Sequence, residues 1–402
     1  MLRLSGPAAL PALAALCAVP PPRRLALRRL IDPASGDLLD RAMVVAFPGP
    51  ATATGEDLAE LHLHGGAAVI AGVLAALLQQ PGVRLAEPGE FTRRAFANGR
   101  MDLAEVEGLA DLIAAETTAQ RQQALALAGG ALSRLADGWR ERCLGVLAQA
   151  EAGLDFAEEE ADVAARLDEA AREQLAAMAA ELAALVADSA RAARIHDGLT
   201  IAIAGPPNVG KSSLVNALSM RDAAIVTAIP GTTRDAIEVP VDLGGVAAVL
   251  IDTAGLRETD DPVEAEGIRR ARLRAEAADL VLSVCLPGTA PLAAGQVVVN
   301  KIDLVPDAVL PAGALAVSAL RGDGLAALRA WLVQWAHDLV RPGEPALLAH
   351  ARHRATFAEA ADALQAAADA PDAVLRAEWL RVAAHAFGRI AGRVGVDDVL
   401  DR

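Results

Sequence analysis

The sequence predicts a multidomain protein with three parts: an α+β N-terminal domain, a discontinuous α-helical bundle, and an α/β domain inserted into that bundle. Over residues 197–338, short β-rich runs such as LTIAIAG and GQVVVNKID alternate with helical runs, which is typical of a parallel sheet with crossover helices. Residues 99–196 and 339–402 carry long helical patterns. Because helical segments flank the α/β segment, we expect them to pair into one bundle.

Residues 1–98 form the predicted α+β domain, since short strand-like runs are separated there by Gly and Pro. The four predicted segments are therefore 1–98, 99–196, 197–338 and 339–402. A chain of 402 residues is also longer than one core usually supports.

Composition limits the possible function classes. The net charge of −15 means that the overall field of the protein does not attract nucleic acid, so any RNA contact needs a local patch or a partner. Aromatic residues make up only 2% of the chain, which disfavours a surface that stacks bases. The three cysteines have no zinc or redox spacing, which fits a reducing, cytoplasmic setting. No apolar run is long enough to predict a membrane span.

The stretch GPPNVGKSS, from Gly205 to Ser213, predicts a phosphate-binding loop. It follows an apolar strand pattern and precedes a helical one. Gly205 and Gly210 permit a tight backbone whose N–H groups, with the helix N-terminus, cradle phosphates. Lys211 is expected to reach the outer phosphates and the Ser212 hydroxyl to bind magnesium.

The motif NKID predicts that the base is guanine. The Asp303 carboxylate can accept hydrogen bonds from the ring N–H and the exocyclic amine of guanine, whereas adenine presents the wrong pattern. Asn300 is expected to tie this loop to the phosphate loop, and the Lys301 stem to lie on the base. The SAL stretch, Ser318 to Leu320, is expected to offer a backbone N–H to the guanine oxygen.

Two further segments predict GTP hydrolysis. DTAG places Asp252 to order the magnesium shell and the Gly255 N–H to sense the γ-phosphate, and TAIPGTTRD can supply a threonine to magnesium. The position after DTAG is Leu256, which cannot orient water as a glutamine there does. The sequence pattern leaves open which of several acids orients the water instead, and the candidates are Glu258, Asp260, Asp261, Glu264 and Glu266.

The chain resembles the MnmE (TrmE) family of tRNA-modifying GTPases over essentially its whole length. The resemblance is carried by GTTRD, by DTAGLRE, and by two longer stretches, FPGPATATGEDLAELHLHGG and EPGEFTRRAFANGRMDLAEVEGLADLI. It implies an N-terminal folate-binding and dimerisation domain, a discontinuous helical domain, and an inserted Ras-like P-loop G domain.

The resemblance also implies the chemistry. The family acts as a homodimer with an MnmG-type flavoprotein that carries FAD, and the two form a heterotetramer. Together they add a carboxymethylaminomethyl or aminomethyl group to C5 of the wobble uridine of certain tRNAs. The one-carbon unit comes from 5-formyl- or 5,10-methylene-tetrahydrofolate.

Residue by residue, the motif match implies four sets of contacts. Folate falls on Arg3, Glu60 and Arg100, and the water-orienting acid is Glu264. Magnesium falls on Ser212 and Thr233. The ligands of a potassium ion, which replaces an arginine finger, are Asn208, Thr227, Ile229 and Thr232. The full set of expected GTP contacts is Asn208, Val209, Gly210, Lys211, Ser212, Ser213, Thr227, Ala228, Ile229, Pro230, Gly231, Thr232, Thr233, Asp252, Thr253, Ala254, Gly255, Asn300, Lys301, Asp303, Ser318, Ala319 and Leu320.

Two alternatives stay open: a ribosome-assembly GTPase, and a regulatory GTPase without modification chemistry. The sequence begins MLRLSGP and ends VDDVLDR, whereas the family pattern has a further strand upstream and a Cys- and Lys-containing tail. We therefore expect GTP hydrolysis to persist, an Arg3 that lacks its supporting strand, weak folate binding, and no tRNA modification by this chain.

Overall fold

The computed structural model describes residues 1–156, 161–219, 238–252, 269, 273–305, 308–341 and 346–392. The chain divides into two compact units, Met1–Val106 and Glu107–Arg402. Both helices and sheets contribute, as expected for a multidomain protein. The four-segment division predicted from sequence stays a prediction.

The first unit is built on a four-stranded antiparallel sheet in the order β1-β4-β3-β2. Its core is formed by apolar side chains of the sheet and of two helices, among them Leu13, Leu30, Leu61 and Val73. The elements are β1 (Leu2–Ser5), α1 (Ala9–Leu16), β2 (Ala26–Ile31), β3 (Leu38–Phe47), β4 (Leu58–His62), α2 (Ala67–Leu78) and α3 (Glu90–Ala97).

Arg3 is supported by strand pairing within the described sheet, whereas the expectation about a further upstream strand stays a prediction. Arg3 lies in β1, which pairs antiparallel with β4, and Arg3 is directly opposite Glu60 in this register. Pairing with β4 therefore fixes the backbone of Arg3.

The second unit contains a six-stranded sheet in the order β10-β9-β8-β5-β7-β6. All neighbouring pairs are parallel except β6 with β7, which is the antiparallel edge. The strands are β5 (Leu199–Ala204), β6 (Glu238–Asp242), β7 (Ala247–Asp252), β8 (Leu280–Cys285), β9 (Gln296–Val299) and β10 (Leu315–Ala316). Parallel strands end at one edge of a sheet, where ligands of such sheets bind.

The described α-helices after α3 are α4 (Leu103–Ala114), α5 (Thr118–Ala128), α6 (Ala131–Phe156), α7 (Ala161–Ala187), α8 (Ser189–Asp197), α9 (Lys211–Ser219), α10 (Leu325–Val340), α11 (Ala351–Asp369) and α12 (Ala373–Ile390). Local signals mark several ends. A capping box between Thr117 and Gln120 begins α5, and the Asp372 carboxylate accepts from the Leu375 N–H at the start of α12. No described helix is both long and apolar enough to cross a bilayer.

Helices from before and after the six-stranded sheet share one core. In chain order, α6 and α7 precede the sheet, and α11 and α12 follow it. The α6 helix packs against α12, and α7 packs against α11. Trp139 stacks on Phe387 with ring centroids 6.1 Å apart, and Phe357 meets the same ring edge-on at 5.4 Å. These contacts bring the two ends of the helical pattern together.

The side-chain amide of Gln123 contacts the segments on both sides of the sheet. The Nε2 group of Gln123, on α5, donates to the carbonyl of Ala192 at 3.0 Å and to the carbonyl of Ala346 at 2.7 Å. Ala192 lies in α8, just before β5, whereas Ala346 precedes α11. Both hydrogens of this buried amide are therefore satisfied by backbone.

Candidate functional site

The phosphate-loop sequence connects β5 to α9. Gly210 has a φ of 95°, and a Cβ added there would collide with the amide of Asn300. The loop packs so closely at this point that only glycine fits without rearrangement.

Lys211 begins α9 and folds back over the loop. Its Nζ donates to the carbonyls of Gly205 at 2.8 Å and Pro206 at 2.9 Å, and the residue is 6% exposed. An ammonium held against carbonyls is poised to exchange those acceptors for phosphate oxygens. Lys211 and Lys301 are the only two lysines in the sequence.

Ser212 and Asp252 meet at the edge of the sheet. The Ser212 hydroxyl donates to Asp252 Oδ2 at 2.5 Å, and Asp252 is the last residue of β7. A hydroxyl and a carboxylate oxygen are ligands of the type that Mg²⁺ prefers. The oxygen donors expected from the sequence therefore lie together.

Asn300 ties two loops together, as the sequence predicted. Its Nδ2 donates to the Val209 carbonyl at 2.8 Å, and its Oδ1 accepts from the Ala319 N–H at 3.0 Å. The residue is 1% exposed. Lys301 adds a second link, because its Nζ donates to the Asn208 carbonyl at 2.7 Å. Phosphate loop, NKID loop and SAL loop are thus joined by the chain's own polar groups.

Asp303 lies in a short 3₁₀ helix that follows β9, with its side chain 7% exposed. Arg321 Nε lies 3.6 Å from Asp303 Oδ2. The sequence analysis did not find Arg321, which follows the SAL stretch and carries no motif of its own. Ser318 is buried and its Oγ accepts from the Arg321 N–H, whereas Leu320 is exposed. The remaining predicted GTP contact on α9, Ser213, is exposed.

Several predicted site residues lie outside the described residues. They are the two catalytic segments with their magnesium, potassium and water-orienting positions: Thr227, Ala228, Ile229, Pro230, Gly231, Thr232, Thr233, Thr253, Ala254, Gly255 and Glu264. The acids left open by the pattern lie there as well.

In the first unit, the structure brings together two of the three predicted folate residues. Arg3 donates from Nε and an Nη to the same oxygen of Glu60, at 2.9 and 2.5 Å. Arg100 is exposed and donates instead to the Thr52 carbonyl at 3.1 Å. His64, which lies in the LHLHGG part of the family-specific stretch, contacts Asp40 through its ring at 2.8 Å.

A cavity of about 290 Å³ lies beside Arg3. Its wall is apolar along α2 and charged along α3, and it includes Arg3, Leu77, Phe91 and Arg94. Glu60 and Arg100 are not among its lining residues. Of the three predicted folate residues, Arg3 is therefore the one that lines the cavity, and it also pairs with Glu60.

The charged wall of this cavity is centred on Glu90, which the sequence analysis missed. Hydrogen bonds from Arg84, from the Glu87 N–H and from Arg94 lower the pKa of Glu90 to about 2. Arg94 also binds Glu56 at 2.9 Å. The signal present in the sequence was the cluster of charges around EPGEFTRR, which predicts a polar helix face without indicating its partners.

Comparison with known families decides where this chain belongs. The model described as the MnmE helical domain matches residues 103–402, and the model described as the GTP-binding protein TrmE N-terminus matches residues 1–100. The chain belongs to the MnmE family. The tRNA modification GTPase MnmE of Azorhizobium caulinodans is 52% identical over 407 residues, which cover 100% of this chain and 93% of that protein. The MnmE of Methylobacterium sp. (strain 4-46) is 53% identical over 420 residues, with 100% and 94% covered.

A likeness to a solved structure is weaker than this family match. The FeoB G domain of Methanococcus jannaschii is 22% identical, covers 34% of this chain and 98% of its own, and has a TM-score of 0.24. Membership of the MnmE family therefore rests on the sequence matches.

Proposed function

We propose that this chain binds GTP at the loop between β5 and α9 and hydrolyses it, as the GTPase that acts in modification of the wobble uridine of tRNA. The separate expectation that this chain does not complete the modification stays a prediction. At the coarser level, the chain is a GTPase that acts in tRNA modification, as a member of the MnmE family. One observation supports the proposed site above all: Asn300 links the phosphate loop to the SAL loop at 2.8 and 3.0 Å. The groups for phosphate and base are thereby held together.

The base is guanine in this proposal, recognised by Asp303. An Asp303→Asn variant replaces one hydrogen-bond acceptor with a donor. Its affinity for GTP should therefore fall, and its affinity for xanthosine triphosphate should rise. Nucleotide affinity measured by calorimetry for both triphosphates tests this. Equal GTP binding by the variant and the original chain would contradict the assignment, and Asp323→Asn, shortly after the SAL stretch, is the control.

Magnesium is proposed at Ser212 and Thr233, with Asp252 in its shell. The described oxygens fit that ion, since the Ser212 hydroxyl lies 2.5 Å from the Asp252 carboxylate. Bound magnesium would neutralise charge on the outer phosphates. Ser212 and Asp252 would orient it from α9 and β7.

Potassium is proposed at Asn208, Thr227, Ile229 and Thr232, and Glu264 is proposed to orient the attacking water. Of these residues the structure describes Asn208, which is exposed on the phosphate loop. Turnover should rise about a hundredfold when potassium replaces sodium, because the cation stabilises developing charge. A rate of phosphate release that is indifferent to the cation would overturn this part of the proposal.

Folate and protein partners complete the proposal. Arg3, Glu60 and Arg100 are proposed to bind a tetrahydrofolate that carries the one-carbon unit. The partners are a second copy of the chain and an MnmG-type flavoprotein with FAD. The Arg3–Glu60 pair supports the folate assignment, since it offers an acid for pterin N–H groups and a cation for a carboxylate. The cytoplasmic location stays a prediction.

A further inference from the structure

Within the described residues, two histidines and a carboxylate meet away from the nucleotide loops. Asp111 lies on α4, His196 near the end of α8, and His350 directly before α11. One potential ligand atom from each lies within 4.8 Å of the others. The three residues come from distant parts of the sequence, yet their side chains converge on one point.

We propose that Asp111, His196 and His350 bind a zinc ion, with water in the fourth position. Asp111 Oδ2 lies 2.8 Å from His350 Nε2 and 3.6 Å from His196 Nδ1. Ligands bound tetrahedrally to zinc at 2.0–2.2 Å lie about 3.3 Å from each other. The two observed separations bracket that value, so the ion is accommodated by small side-chain movements.

The donor set suits zinc in kind as well as in spacing. Two imidazole nitrogens and one carboxylate oxygen make a recurrent three-ligand zinc set that leaves a fourth position for water. The His196 and His350 rings are tilted by 56°, with centroids 4.6 Å apart. Their nitrogens can therefore address a shared ion from different directions.

The charge balance favours a cation at this point. The Asp111 side chain is 14% exposed, and its described ion-pair partners are the two histidines. The neighbouring carboxylate on α4, Glu107, is instead held by Arg352 at 2.7 Å and by His353 at 2.6 Å. Arg352 therefore pairs with Glu107 and not with Asp111. A divalent ion bound here would supply positive charge directly opposite Asp111.

The ligands are held in position by the surrounding structure. The His196 carbonyl accepts from Gln120 Nε2 at 3.2 Å, which anchors the end of α8 to α5. His350 occupies the N-cap position of α11. The second ring nitrogen of His196 lies 3.9 Å from Asp197 Oδ1, where a carboxylate can orient a metal-bound imidazole. Zinc would join α4, the chain just before β5, and the start of α11.

The test measures zinc binding by the full chain with two methods, calorimetry and metal analysis after gel filtration. The original chain should retain one zinc per molecule. His350→Gln and His196→Gln should each weaken zinc binding by more than about 100-fold, since even outer partners of metal ligands cost about 10–100-fold. His385→Gln, an exposed histidine on α12, is the matched control and should bind as the original chain does.

Two further measurements separate metal binding from folding. Zinc should raise the thermal midpoint of the original chain and of His385→Gln but leave that of the ligand variants unchanged, because a ligand stabilises only the state that binds it. If the histidine variants fail to fold, Asp111→Asn replaces them. In addition, Co²⁺ bound to the original chain should show visible bands of nitrogen and oxygen ligands without a thiolate charge-transfer band.

Retention of zinc by all variants, absence of zinc binding by the original chain, or a thiolate band from cysteine ligation would each overturn the proposal. The cluster would then be a hydrogen-bonded group that joins three helices.

Discussion

The phosphate, NKID and SAL loops of the second unit, which we propose bind the nucleotide, and the Arg3–Glu60 pair of the first unit are held in different ways. In these loops, Lys211 bonds to carbonyls of its own phosphate loop, and Asn300 and Lys301 bond to carbonyls of the phosphate loop from the NKID loop. In the first unit, Arg3 bonds to another side chain, that of Glu60, and is 39% exposed. The loops are therefore held by bonds to the main chain, whereas Arg3 and Glu60 are held by a bond between two side chains.

This difference predicts that the buried residues contribute mainly to stability, whereas the exposed pair contributes mainly charge for ligand binding. A side chain that is buried and bonded to backbone holds loops at a fixed separation, and its removal leaves unsatisfied polar groups. An exposed ion pair contributes little to stability, since water screens it and side-chain entropy opposes it. Its charges remain accessible to a ligand. The following predictions test that distinction.

The largest effect is expected at Lys211. Lys211→Ala removes the ammonium that lies over the phosphate loop, so GTP turnover should fall by about 10²–10³-fold. Phosphate release under saturating GTP measures it. Lys301→Ala is the matched control, since it removes the other lysine and should mainly weaken nucleotide binding. Equal loss of turnover in both variants would show that the two lysines share one role.

Removal of the Asn300 amide should lower the free energy of unfolding. Asn300→Ala leaves the Val209 carbonyl and the Ala319 N–H without their partner, which costs about 1–3 kcal/mol for a buried group. Chemical denaturation and hydrogen exchange of the phosphate loop would detect it. Gln296→Ala, at the start of β9, removes a partly exposed amide and should cost less. If the two variants were equally stable, the bracing attributed to Asn300 would be wrong.

Substitution of Arg3 should affect ligand binding more than stability. Arg3→Gln should change the free energy of unfolding by less than about 1 kcal/mol, because the pair is exposed. Binding of 5-formyl-tetrahydrofolate, measured by calorimetry, should weaken about tenfold, since charge-assisted hydrogen bonds contribute roughly 1.5–3 kcal/mol. Arg41→Gln changes an exposed arginine in the same sheet and should leave folate affinity unaltered. A large loss of stability without loss of folate binding would reverse the comparison.

The smallest effect is expected from the ionisation of Glu90, whose stabilising contribution is present at neutral pH and is lost in acid. Hydrogen bonds from Arg84, the Glu87 N–H and Arg94 lower its pKa from 4.5 to about 2. The stabilisation is therefore fully present above pH 4.5 and is lost as the pH falls toward about 2. Hydrogen exchange at α3 should rise in that window. Glu90→Gln should lack this dependence, and a shared acid response in both chains would assign it to another group.

The local parts of the site were predictable from sequence, and the distant contacts were not. Gly210, Lys211 and Asn300 occupy motifs in which each residue's role follows from its position along a short loop. The register that places Arg3 opposite Glu60 links residues 57 positions apart, and no motif states it.

Asp111, His196 and His350 illustrate a deeper limit of sequence reasoning. The structure sets Asp111 beside His350, 239 positions later in the chain. A metal motif becomes visible in sequence when its ligands share a short segment with fixed spacing. Here three separate helices determine the convergence, so it depends on packing. The α/β pattern and the helical flanks were predictable because periodicity is a local property.

The buried amide of Gln123 keeps the chain that enters the six-stranded sheet close to the chain that leaves it. The carbonyl oxygens of Ala192 and Ala346 lie within about 6 Å of each other, since one nitrogen binds them at 3.0 and 2.7 Å. A protein engineer could therefore delete the intervening sheet and close the gap with a linker of a few residues. The shortened chain would retain α6, α7, α11 and α12 as a bundle, and the excised segment could be exchanged for an unrelated domain whose termini are equally close.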